Sequence, residues 1–129
     1  MSPPAKRPRI LVAEDDPDLL KMLQHLLASE GEVVIAKDGL EALRIAKAGP
    51  APDVLVTDVM MPGMDGLMLA RSLKNEPQLA RVPVVMLTAR TGPRDVIAGI
   101  NAGARFYVTK PFKADELLAK VQKALGRGR

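Results

Sequence analysis

The chain contains no cysteine and no tryptophan, and aromatic residues make up only 2% of it. Without cysteine there is no disulfide framework and no thiolate metal site. With so few aromatics, a core must be built from Leu, Val, Ile, Ala and Met. No apolar run approaches the ~20 residues a bilayer-spanning helix needs. The first nine residues, Met1 to Arg9, lack the apolar segment of a secretory signal. Acids are missing from both ends. Lys6, Arg7 and Arg9 stand alone in residues 1–9, as do Lys120, Lys123, Arg127 and Arg129 in residues 120–129. Setting those seven aside leaves 12 basic residues against 15 acids, so the body carries −3 although the chain carries +4. A basic stripe with base-stacking aromatics is therefore absent, and the ends read as solubilising tails rather than a nucleic-acid surface.

At 129 residues and 47% apolar content, the chain is one domain with room for a core. Short apolar runs alternate with amphipathic stretches. Ile10–Ala13, Val33–Ala36, Val54–Thr57, Val82–Leu87 and Phe106–Val108 read as strands. Pro83 belongs at the start of the fourth, where a missing donor is tolerated. Between them lie five helices. The first follows Asp16-Pro17, an N-cap and first-turn proline, and runs to about Ser29 with Leu19, Leu23, Leu26 and Leu27 on one face. The second opens at Asp38 or Gly39 and carries Leu40, Leu43, Ile45 and Ala46. The third starts near Asp65-Gly66 with Leu67, Leu69, Ala70 and Leu73. The fourth spans about Arg94–Ala102, stopped by Gly103. The fifth spans about Ala114–Leu125, with Leu117, Leu118, Val121 and Leu125 inward. Continuously apolar strands imply a parallel sheet covered on both faces. The expectation is an α/β domain over residues 9–125, between basic tails 1–8 and 126–129. Its sheet is doubly wound, five-stranded and flavodoxin-like, in a three-layer sandwich with order 2-1-3-4-5.

The strand ends carry the chemistry. Strand one ends in Glu14-Asp15-Asp16 and strand three in Asp58, just before a break at Pro62-Gly63. Strand four ends in Thr88-Ala89 and strand five in Thr109-Lys110-Pro111. In a parallel sheet these ends share one edge, where open α/β sheets bind ligands. Three carboxylates that close raise one another's pKa unless a cation intervenes. Oxygen ligands without His or Cys suit Mg²⁺ or Mn²⁺. Lys110 adds a point charge and Thr88 a hydroxyl donor, so the set forms a receptor for a phosphoryl group on Asp58. A carboxylate can act as the nucleophile that becomes an aspartyl phosphate. Small Ala89 leaves the approach open. Pro111 biases Lys110 to an extended backbone, and a cis Lys110-Pro111 bond fits there.

Other residues have plainer readings. Asp16 caps helix one. Asp65-Gly66 is a turn and helix start. Met60, Met61 and Met64 suit loop and core packing better than a docking surface. His25 falls off the leucine stripe and reads as a solvated helix residue. Tyr107, the sole tyrosine, suits core filling as well as a moving part.

Four motifs in order, Glu14-Asp15, Asp58 through Gly66, Thr88-Ala89 and Lys110-Pro111-Phe112, resemble the response-regulator receiver domain of two-component signalling. Thr88 lies 30 residues and Lys110 52 residues after Asp58, a spacing that also fits. The resemblance covers about residues 9–125. It implies that Asp58 is the phosphoacceptor, that Asp15 binds Mg²⁺ directly and Glu14 through water, and that the Met60 backbone carbonyl is a further ligand. It also implies that Lys110 pairs with the phosphoryl group, that Thr88 hydrogen-bonds it, and that Tyr107 is a switch aromatic. Mn²⁺ would be a substitute metal. The implied protein is a cytoplasmic switch rather than an enzyme, catalysing only its own phosphorylation and dephosphorylation. Its donor would be a histidine kinase or phosphotransfer protein. Its output would be a downstream protein or an effector domain outside this chain, with neither nucleic acid nor membrane bound by this domain. Met60 and Arg90 resemble winged-helix DNA-binding regulators. Arg105-Phe106 departs from them where they often carry an acidic pair, which bears on a dimer through helix four, strand five and helix five.

Three other classes stand beside it. A binding module that works without phosphorylation would not need the intact acid pair, Thr88 and Lys110. A flavin or nucleotide site would want a Gly- or hydroxyl-rich loop after strand one, where Glu14-Asp15-Asp16 repels phosphate. A haloacid-dehalogenase-type phosphatase would want an acid where Met60 stands.

Overall fold

The computed structural model describes residues 7–89 and 92–127. Arg90, and Lys6 and Arg129 of the basic ends, lie outside the described residues. Short β-branched and leucine-rich runs form five strands: β1 (Arg9–Ala13), β2 (Glu32–Ala36), β3 (Val54–Asp58), β4 (Val84–Thr88) and β5 (Phe106–Thr109). They alternate with α1 (Pro17–Leu27), α2 (Gly39–Ala48), α3 (Gly66–Lys74), α4 (Pro93–Asn101) and α5 (Ala114–Ala124). All pairings are parallel, in the order β2-β1-β3-β4-β5. This is the order expected from the alternating pattern. The central strand β3 is buried along its whole length.

Successive strand residues point to opposite faces, and two cores result. Leu11, Leu55, Val84 and Met86 pack with Leu69 and Leu73 of α3 and Ala42 and Ala46 of α2. Ile10, Val12, Val54, Val56, Val85 and Leu87 pack with Leu20, Leu23 and Leu27 of α1 and Leu117 and Val121 of α5. Each fully buried leucine contributes roughly 2 kcal/mol relative to exposure.

Aspartates start three helices. Asp16 accepts from the N–H groups of Asp18 and Leu19 at 3.0 and 3.5 Å. Asp38 accepts from Glu41 N–H at 2.8 Å, and Glu41 accepts from Lys37 N–H at 3.1 Å. Asp65 accepts from Met68 N–H at 2.8 Å. Each cap satisfies an otherwise orphaned donor, worth about 1 kcal/mol.

Three details differ from the sequence reading. β4 begins at Val84, after Pro83 rather than through it; the Pro83 carbonyl still accepts from Leu55 N–H at 2.9 Å. The buried stripe of α1 is Leu20, Leu23 and Leu27, with Leu19 and Leu26 at its margins. In α2 the inward face is Gly39, Ala42 and Ala46, and Leu40 is 62% exposed. Helical geometry sets Leu40 about 100° away from Gly39.

At the opposite edge from the strand exits, two arginines hold the α1–β2 connection. Arg7 donates to the carbonyls of Ala28 and Gly31, and Arg127 donates to the Glu30 carbonyl at 3.2 Å and its carboxylate at 3.4 Å.

Candidate functional site

The parallel register brings the ends of β1, β3, β4 and β5 to one edge. Ala13 pairs with Thr57, Asp58 with Leu87 and Thr88 with Thr109. Glu14 therefore leaves β1 beside the end of β3, where Asp58 is the last strand residue. Carboxylate oxygens of Glu14, Asp15 and Asp58 all lie within 4.8 Å of one another. Asp15 faces solvent, whereas Glu14 is 1% and Asp58 7% exposed.

Lys110 reaches this cluster from just beyond β5. Its ammonium donates to Asp58 Oδ2 at 2.9 Å and to Glu14 Oε1 at 3.2 Å. The Lys110-Pro111 bond is cis, as its sequence allowed. The Lys110 N–H donates to the Thr88 carbonyl at 2.8 Å, so the ends of β4 and β5 are tied together. Thr88 is fully buried.

The second carboxylate oxygens of Glu14 and Asp58 are also held. Glu14 Oε2 accepts from Asp16 N–H at 3.1 Å, and Asp58 Oδ1 accepts from Met60 N–H at 3.3 Å. Burial is the main force on the Glu14 carboxyl and pushes it up to about 7; the charge of Asp58 adds to this, while Asp16 N–H and Lys110 oppose it. Burial works against the Lys110 ammonium, yet the hydrogen bond and charge of Asp58, with Glu14, hold it above the ordinary lysine value. One lysine against three carboxylates leaves an uncompensated negative charge when all ionise. The donor set is hard, all-oxygen and clustered, which fits a small divalent cation such as Mg²⁺.

The other expected residues fall around this cluster. Met60, 53% exposed, sits two residues past Asp58 in the β3–α3 connection. Tyr107 pairs with Met86, two positions before Thr109, so it shares a face with Thr88 and packs against the α2–α3 core. Of the expected site residues, Glu14, Asp15, Asp58 and Lys110 are brought together, Thr88 is joined through the Lys110 backbone, and Tyr107 lies farther down the same face.

One contributor, Gly66, reads from sequence as part of a turn and helix start. Gly66 N–H donates to the Val59 carbonyl at 2.9 Å, and a Cβ there would stand 2.1 Å from the Asp58 carbonyl oxygen. Glycine lets α3 begin against the Asp58 peptide. The signal lay in Asp65-Gly66 at a helix start so soon after a strand.

Residues 10–122 match the response regulator receiver domain family. The chain belongs to that family. It is similar to the DNA-binding response regulator MtrA of Mycolicibacterium smegmatis, 43% identical over 94% of this chain and 52% of that protein. This receiver domain thus spans about half the length of the curated relatives it matches. A putative response regulator from Chloroflexus aurantiacus superposes with a TM-score of 0.88 at 36% identity, covering 95% of this chain and 100% of that one. The receiver domain of sensor histidine kinase PA1611 from Pseudomonas aeruginosa gives 0.84 at 31% identity over 95% and 99%. That structure has a magnesium ion coordinated in its active-site cleft. The chain is thus a signalling module of the two-component type rather than a classical enzyme. Among its described residues, no helix is long and apolar enough to cross a membrane.

Proposed function

We propose that this receiver domain accepts a phosphoryl group on Asp58 and thereby switches a protein-binding face. The observation that carries this reading is the Lys110 ammonium lying between Asp58 and Glu14, with the Asp15 carboxylate alongside. Glu14, Asp15, Asp58 and the Met60 carbonyl would hold Mg²⁺, or Mn²⁺ in its place. The magnesium bound in the related PA1611 receiver domain supports the assignment. The ion would supply positive charge to the phosphoryl oxygens. An Asp58 carboxylate oxygen attacks phosphorus of a phosphohistidine on a histidine kinase or phosphotransfer protein. The P–N bond breaks, a P–O bond forms, and the freed imidazole takes a proton. Lys110 pairs with the added charge, and the Thr88 hydroxyl donates to a phosphoryl oxygen.

The inward pull on Thr88 opens space along the face it shares with Tyr107. The ring follows, and the surface of α4, β5 and α5 changes. This is a population shift, so its size equals the phosphoryl group's preference for one state over the other. The reader is a downstream protein or an effector domain outside this chain, and the name of the half-matched relative MtrA supports a DNA-binding one. Dimerisation through the α4–β5–α5 face would be one such output.

Incubation with a small-molecule phosphodonor and Mg²⁺ is expected to add one phosphoryl mass to the wild-type chain and none to Asp58→Ala. Beryllofluoride should bind only the wild type. An unmodified wild type that also ignores beryllofluoride would overturn the reading.

A further inference from the structure

Helix α4 is weakly embedded. Its one buried residue is Gly99, while Ile97 and Ile100 are 56% and 59% exposed. Its N-cap is Gly92, which has no side chain to cap it. Glycine in a helix interior is unfavourable relative to alanine, so Gly99 needs a reason. The reason lies on β5. A Cβ at position 99 would stand 2.8 Å from Tyr107 Cε2 and 3.0 Å from Cδ2. The aromatic ring therefore rests directly on the helix backbone.

The helix end is not free to yield. The Gly99 carbonyl accepts from Ala104 N–H at 2.9 Å, and Arg105 N–H donates to the Val84 carbonyl at 2.8 Å, fixing the exit of α4 to the sheet. An added methyl must therefore displace the ring.

We propose that Gly99 is a positioning residue: its missing side chain forms the seat that holds the Tyr107 ring against α4. The link from ring position to phosphoryl binding rests on the switch reading above; the seat itself does not. Any side chain at 99 evicts the ring from this position and favours the alternative it adopts when Asp58 is phosphorylated.

The chain has a single tyrosine, so ¹³C-labelled tyrosine ring signals report this ring alone. In Gly99→Ala the ring signals are expected to shift. Stability supplies a second readout. In a Tyr107→Ala background, Gly99→Ala should raise Tm by about 3 °C, the ordinary helical gain. In the wild-type background that gain should vanish or reverse. Unmoved ring signals, or an equal rise in both backgrounds, would overturn the seat. Beryllofluoride tests the coupling separately. Gly99→Ala is expected to bind it about threefold more tightly. A displaced ring with unchanged beryllofluoride affinity would establish the seat and reject Tyr107 as the switch.

Discussion

Lys110 Nζ lies 2.9 Å from Asp58 Oδ2, a side-chain pair 52 residues apart in sequence and less than a quarter exposed on either side. Removing the ammonium would leave Asp58 and Glu14 facing each other across a buried gap. Lys110→Met should therefore destabilise the metal-free domain by about 2 kcal/mol in urea denaturation. Added Mg²⁺ should recover most of that loss by replacing the missing positive charge. Equal losses with and without Mg²⁺ would argue against a shared cation site.

Glu14 gives the site a pH dependence. Its carboxyl titrates at about 7 in the folded chain against 4.5 as a free group. The folded state thus holds this proton more tightly than the unfolded state. Glu14 favours folding fully below pH 4.5, loses that contribution as pH rises to about 7, and adds none above. Its share is at most about 3 kcal/mol. Thermal melts in a chelator should show wild type falling relative to Glu14→Gln across this window. Mg²⁺, which needs the ionised carboxylate, should stabilise wild type more at pH 8 than at pH 5.5. Parallel profiles for the two proteins would contradict the assignment.

Two glycines between the end of β3 and the start of α3 separate steric from conformational demands. Gly63 has φ +73° with nothing near its missing Cβ. Gly63→Ala should cost about 1 kcal/mol and leave Mg²⁺ affinity within about twofold. Gly66→Ala instead drives a methyl into the Asp58 carbonyl oxygen, a backbone atom that cannot rotate away. A loss of about 3 kcal/mol and at least tenfold weaker Mg²⁺ binding are expected. Isothermal titration of both variants checks the contrast.

The legible parts of this domain were those with local causes. Asp16, Asp38 and Asp65 each precede a helix and each cap it. The apolar runs and their terminal acids define the strands, and topology then gathers Glu14, Asp58 and Lys110. What escaped depends on distances between elements. Leu40 looks like a core leucine, but α2 packs through Gly39, Ala42 and Ala46 because the backbone at Met64 crosses it; a Cβ on Gly39 would lie 2.3 Å from the Met64 carbonyl oxygen. Glu14 and Asp15 are adjacent acids in sequence, yet one is sealed off and the other faces water. The buried one continues the β1–β2 pairing, its N–H donating to the Ala36 carbonyl, and it meets Lys110, nearly a hundred residues away. Gly99 gave no signal beyond its cost to a helix, since its partner ring belongs to a later strand.

The clasp of Arg7 and Arg127 on residues 28–31 has a consequence for chain connectivity. Positions near the start and the end of the receiver domain meet at one loop, on the far side of the sheet from Asp58. A short peptide joining them, with new termini opened in the exposed stretch at Pro77-Gln78, would yield a circular permutant in which every strand exit keeps its neighbours.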